Sequence, residues 1–215
     1  MKKYSALTLI VALAVGFSQA AQAQRGKEGK QAKSNNEANR LAVEGAQAAK
    51  NQDLDKAVEL LRKATAMDHK YADELSDVYQ RRAYALAKNQ QFQDAIQDYD
   101  EALKIEPQNP RIYEQRAAVE MKMYAYDKAL ADYAELIKLK PKEVRYYNYR
   151  AYIYEAKEDD KNAMAENEKA LQIDPNNQEA KERKQRLERK QAEKMPTPPP
   201  NTPAPKKSPT PKKKP

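Results

Sequence analysis

The sequence predicts an all-α protein, a stack of helix-turn-helix repeats closed by a capping helix. Three observations predict it. Residue types return every 34 residues, so that Ala95 falls on Ala129 and Ala163, and Arg82-Ala83 on Arg116-Ala117 and Arg150-Ala151. Within each period apolar residues recur at three- and four-residue spacing, the signature of a helix with one buried face. Pro107, Pro141 and Pro175 then break the chain at the same point of each period. Periods of this length mark stacked supersecondary units, which present a long surface to a partner. Binding is therefore expected ahead of catalysis.

The elements follow in order. Met1-Lys2-Lys3 is basic, Ala6–Phe17 is apolar but too short to span a bilayer comfortably, and Ala21-Gln22-Ala23 supplies small residues for cleavage. Residues 1–23 read as a cleaved signal peptide. The expected setting is the periplasm, with secretion as second choice and no stable membrane span after cleavage. The chain has no cysteine, which excludes disulfides, thiolate metal sites and a lipid-bearing thiol. Residues 24–37 are polar and read as a flexible leader.

Four repeats occupy residues 38–75, 76–109, 110–143 and 144–177. In the second, Ser76–Lys88 reads as the first helix, Asn89–Gln91 as the turn and Phe92–Ile105 as the second helix. Asn109 is placed to cap the next helix and Pro110 to start it. The first repeat lacks the proline and carries four extra residues, Ala72–Leu75. Four residues make about one helical turn, so a lengthened helix is expected there. Residues 178–194 are mostly Glu, Lys, Arg and Gln, with a thin stripe at Ala180, Leu187 and Ala192. That suits a coiled-coil-like capping helix with a polar outer face. Residues 195–215 hold nine of the thirteen prolines and read as a disordered Pro/Lys-rich tail.

These residues resemble the tetratricopeptide repeat (TPR) family. Small residues stand at position 8 (Gly45, Ala83, Ala117, Ala151) and alanine at position 20 (Ala57, Ala95, Ala129, Ala163). Position 24 holds Leu61, Tyr99, Tyr133 and Asn167, and position 27 holds Ala64, Ala102, Leu136 and Ala170. His69 replaces the family proline in the first repeat, and Asn167 the aromatic in the fourth. The resemblance implies a right-handed α-solenoid whose first helices line a concave groove for an extended peptide or partner helix.

Placed on that pattern, the groove candidates are Lys50, Gln80, Tyr84, Lys88, Arg111, Glu114, Lys122, Arg145, Asn148 and Tyr152. Donors, two rings and a line of ammonium groups suit a protein or peptide segment that is polar or acidic. The same lysines also read as solubilising surface charge. The Lys, Asn and Arg set with which one family subclass grips a chaperone's C-terminal carboxylate is matched only by isolated basic residues, so that clamp is not expected. Arg82, Arg116 and Arg150 travel with Asp98, Asp132 and Glu166, which favours helix-to-helix ion pairs over an anion ladder. The tyrosines at 146, 147, 149, 152 and 154 read as part core, part surface.

Net charge is +8, but the repeats lean acidic and the ends basic. This is not the basic patch of a nucleic-acid binder, and no nucleic-acid partner is expected. The tail reads as a spacer, or as a tether to anionic envelope polymer. The single histidine, His69, has no nucleophile or phosphate loop beside it, so no enzyme activity, metal or cofactor is expected. Glu158-Asp159-Asp160 reads as a solvated turn. The leading functional expectation is an exported adaptor or scaffold; the alternative is an envelope-structural protein tethered by its basic tail.

Overall fold

The computed structural model describes residue 24 and residues 30–194. The expected signal (1–23), residues 25–29 of the leader and the Pro/Lys tail (195–215) lie outside the described residues. Among those described there is no strand. The helices are α1 (30–50), α2 (Leu54–Met67), α3 (Ala72–Lys88), α4 (Phe92–Ile105), α5 (Pro110–Lys122), α6 (Tyr126–Leu139), α7 (Val144–Ala156), α8 (Asp160–Ile173) and α9 (Gln178–Lys194), with a 3-10 turn at His69–Tyr71 between α2 and α3. The chain forms two compact units, one ending at Tyr146 and one beginning at Tyr147.

One boundary differs from the sequence reading. Residues 30–37, expected in the leader, belong to α1. Their Lys, Gln, Ala and Glu are good helix formers. Glu37 and Glu44 also sit one turn to either side of Arg40, each within 2.6 Å of its guanidinium. The four extra residues of the first repeat do lengthen a helix: α3 runs 17 residues where α5 runs 13.

A core cluster runs from Ala38 to Val119 in the first unit, built from the small and large positions of the repeat. Ala57, Ala95 and Ala129 are fully buried, as are Ala83 and Ala117. Gly45 shows why position 8 must be small. A Cβ there would lie 2.9 Å from Leu61 Cγ and 3.3 Å from Leu60 Cβ, inside van der Waals contact. Tyr99 fills the space these small residues leave and is 1% exposed. Burying a large apolar side chain in this way contributes about 1.5–3 kcal/mol.

Every first helix of a repeat ends in the same way. Gln52, Gln90, Tyr124 and Glu158 have φ of 64°, 64°, 56° and 60°, the left-handed region. The next residue's N–H then returns to a carbonyl five residues back: Asp53 to Ala48, Gln91 to Leu86, Ala125 to Glu120 and Asp159 to Tyr154, at 2.8–3.0 Å. This is a Schellman motif, and it closes the helix without a glycine. At the other end of the repeat, the Asn109 side chain accepts from the Arg111 N–H at 3.1 Å and Pro110 opens α5, as the sequence indicates.

The expected ion-pair ladder is present. Arg82 holds Asp98 with Nε and Nη2, both at 2.7 Å, and reaches Asp55 with Nη1 at 2.9 Å. Arg116 holds Asp132 in the same way and reaches Asp100. Each of these two arginines ties its own repeat's second helix to that of the preceding repeat. In the second unit Arg150 meets Glu166 at 3.2 Å.

The second unit contains α8, α9 and α7 from Tyr147 onward. Asn167, in the usual aromatic position, is fully buried and donates through Nδ2 to the Ala180 carbonyl at 2.9 Å. An amide thus replaces ring packing with a bond to the capping helix. α9 buries Ala180, Arg183 and Leu187; Ala192, expected in its apolar stripe, is exposed.

Candidate functional site

α3 and α5 place a cleft of about 440 Å³ in the first unit, with the α1–α2 turn at one end. Its lining is Gln52, Leu54, Asp77, Gln80, Arg81, Tyr84, Ala85, Lys88, Arg111 and Gln115. The helical repeat explains the set. Asp77, Gln80, Tyr84 and Lys88 follow each other at three- and four-residue spacing on α3, so they share one face. Arg111 and Gln115 do the same on α5.

The cleft is cationic. Arg81, Lys88 and Arg111 stand against the single acid Asp77. Arg81 gives one Nη2 bond to the Ala49 carbonyl at 2.8 Å, which fixes its stem and leaves its other donors available. The Tyr84 ring is 62% exposed, beside Leu54 and Ala85. Gln80 is buried, with a long 3.4 Å bond to Ser76. Gln115 Oε1 is buried without a hydrogen-bond partner. Such an acceptor gains from any donor that enters. Together these groups suit a ligand carrying carboxylates, an apolar side chain and N–H donors.

The structure brings together four of the residues singled out from the sequence: Gln80, Tyr84, Lys88 and Arg111. Lys50 and Lys122 are exposed at the ends of α1 and α5 and do not line the cleft. Glu114 and Arg145 face each other at 3.1 Å, and Glu114 also accepts from the Tyr146 hydroxyl. Their charges are therefore engaged inside the first unit. Asn148 is buried and donates to Asn177 Oδ1 and Glu179 Oε2, both at 3.1 Å, so its amide joins α7 to α9. Tyr152 is about half exposed on α7 in the second unit.

Six lining residues lie outside the candidates named from the sequence: Gln52, Leu54, Asp77, Arg81, Ala85 and Gln115. Arg81 and Gln115 both occupy position 6 of their repeats, one turn from positions 2 and 9. That periodicity was the available signal. Gln52 and Leu54 enter only because the α1–α2 turn folds over the end of α3, which no local pattern announces.

Residues 76–109 and 115–178 each match a tetratricopeptide repeat family. The chain is a tetratricopeptide repeat protein. A TPR protein from Parabacteroides merdae is 22% identical at a TM-score of 0.51, covering 74% of this chain and 61% of that one, and it shares the fold. The TPR domain of Arabidopsis OM64 is 29% identical at a TM-score of 0.48, covering 55% of this chain and 98% of that domain. The first TPR of Spaghetti (RPAP3), solved with the HSP90 peptide SRMEEVD, is 21% identical at 0.49, covering 56% and 95%. No match is found among curated proteins.

Within this TPR chain, no described helix is long and apolar enough to cross a membrane. Among the described residues no group of three or more His, Cys, Asp or Glu is arranged to hold a metal ion. The turn acids have structural partners. Asp159 caps α8 by accepting from the Asn162 N–H at 3.1 Å, and Asp160 holds Lys190 at 2.6 Å and Lys194 at 2.8 Å.

Proposed function

We propose that this TPR protein is a scaffold that holds an extended acidic segment of a partner protein in the cleft between α3 and α5. The observation that carries the reading is the cleft's charge and lining: three cations against one acid, around an exposed tyrosine ring. Carboxylates gain charge-assisted hydrogen bonds from Arg111, Lys88 and the free donors of Arg81. Tyr84 offers a flat apolar surface to a side chain between them. The peptide backbone supplies donors to Gln115. The resemblance to the family's groove supports the same reading. The N-terminal sequence, with its basic start and short apolar run, supports an exported setting for this scaffold.

The test is fluorescence anisotropy of the full chain against arrayed acidic, neutral and basic heptapeptides. Acidic peptides are expected to bind best, with affinity falling as salt rises. The double variant Lys88→Glu, Arg111→Glu is expected to weaken acidic-peptide binding about tenfold or more, roughly 1.4 kcal/mol or above. Its helicity and melting stay as in the parent, because both side chains are exposed. Equal binding of acidic and basic peptides, or unchanged binding by the double variant, overturns the reading.

A further inference from the structure

α5 carries a carboxylate where the other repeats carry apolar or aromatic groups. Glu120 stands at position 11 of its repeat, in register with Ala48, Leu86 and Tyr154. It is 4% exposed, and its Oε2 has no hydrogen-bond partner. The charged groups facing it are Arg116 on its own helix, Asp132 and Lys128 on α6, and Asp100 on α4. Arg116 is already committed, with Nε and Nη2 on Asp132 and Nη1 on Asp100. Lys128 is exposed to solvent. Three carboxylates therefore crowd one guanidinium. The equivalent arginine, Arg82, holds its two acids with the apolar Leu86 at position 11 of the same helix.

A buried carboxylate without its own counter-charge is costly, whereas the neutral acid is tolerated. We propose that Glu120 is a proton-operated latch on the α5–α6 pair: protonated, it stays packed and the pair is shut; ionised, it is drawn toward water and the pair loosens. The electrostatics run the same way. Burial, with the Asp132 charge adding to it, pushes the Glu120 carboxyl up to about 7, against about 4.3 for glutamate in an unfolded chain. Between those values the folded state keeps a proton that the opened state has lost. Stability of the pair therefore falls as pH rises through this window and levels off above about pH 7. The latch does not require the cleft to bind a peptide. If the cleft does bind one, α5 carries Arg111 and Gln115, so the same proton acts on one wall of that site.

Hydrogen exchange of the full chain at about pH 5.5 and 7.5, corrected for the intrinsic rate, tests this directly. Protection across α5 and α6 is expected to fall tenfold or more in the parent, since one proton shifts the opening equilibrium by up to about tenfold per pH unit. Protection across α3 and α4 should hold steady. Glu120→Gln should abolish the pH dependence in α5 and α6, and Glu120→Leu should do the same while raising protection. An NMR titration of the parent Glu120 side-chain carboxyl carbon needs no variant to fold and should show a midpoint near 7. An ordinary glutamate midpoint, or equal loss of protection in the parent and the Gln variant, overturns the latch.

Discussion

α3 in the first unit and α7 in the second carry comparable residues at the same repeat positions but use them differently. On α3, Gln80 at position 5 and Tyr84 at position 9 line an open cleft. On α7, Asn148 at position 5 bonds Asn177 and Glu179, and Glu155 at position 12 takes Arg186 at 2.7 and 2.9 Å and Arg183 at 3.4 Å. The helix face that lines an open cleft in one unit holds the capping helix in the other. Position in the repeat decides which way a side chain points; the neighbouring element decides whether it is free. The cap is polar for the same reason. α9 buries only Ala180, Arg183 and Leu187, so much of its attachment is carried by charge.

The strongest way to break this contrast is Leu187→Ala. Leu187 is 2% exposed, and emptying such a site costs about 2–5 kcal/mol. Hydrogen exchange should show α9 released while α3 and α4 keep their protection; an undisturbed α9 would mean that charge alone holds the cap. Glu155→Gln comes next. It removes the negative charge and one of the two acceptor oxygens that hold Arg186 and the 3% exposed Arg183, at about 1–3 kcal/mol. Limited proteolysis at the basic residues of α9 reads it.

Acid sharpens the same comparison. Arg186 holds the Glu155 carboxyl below the usual glutamate range, and Lys190 and Lys194 hold Asp160 below the usual aspartate range. Both groups stabilise the cap above the unfolded-chain values and lose that effect as pH falls through their lower folded values. Glu120 has the opposite sign, so in exchange measurements α5–α6 should tighten on mild acidification and α9 should loosen on strong acidification. The smallest expected effect is at a turn. Gln90 sits at φ 64°, and Gln90→Asn should raise the unfolding free energy by about 0.5 kcal/mol, read as a higher denaturation midpoint, because Asn tolerates the left-handed region better.

Much of the fold was legible because the repeat states each instruction several times. Ala95, Ala129 and Ala163 agree in register, so their shared burial could be read without coordinates, and Arg82, Arg116 and Arg150 travelled with their acids. The start of α1 was harder to place. Residues 30–37 have the composition of a polar leader and of a charged helix alike, and only pairs such as Glu37 with Arg40 distinguish the two. The candidate site was half legible. Gln80, Tyr84, Lys88 and Arg111 followed from helix periodicity, whereas Arg145 and Asn148, equally polar in the same register, proved to have partners within the protein. Glu120 could have been noticed as an acid in an apolar register. That it lacks a partner could not, because Arg116 is shared with Asp100 of another helix.

The sequence by itself determined the helices, their order and the register of small against large residues, since these depend on periodicity within one chain segment. Tertiary structure alone decided which polar groups stay available. A side chain's partner is set by the helix packed beside it, often some 30 residues away in sequence, and the hydrogen bond or charge it finds there competes directly with any ligand.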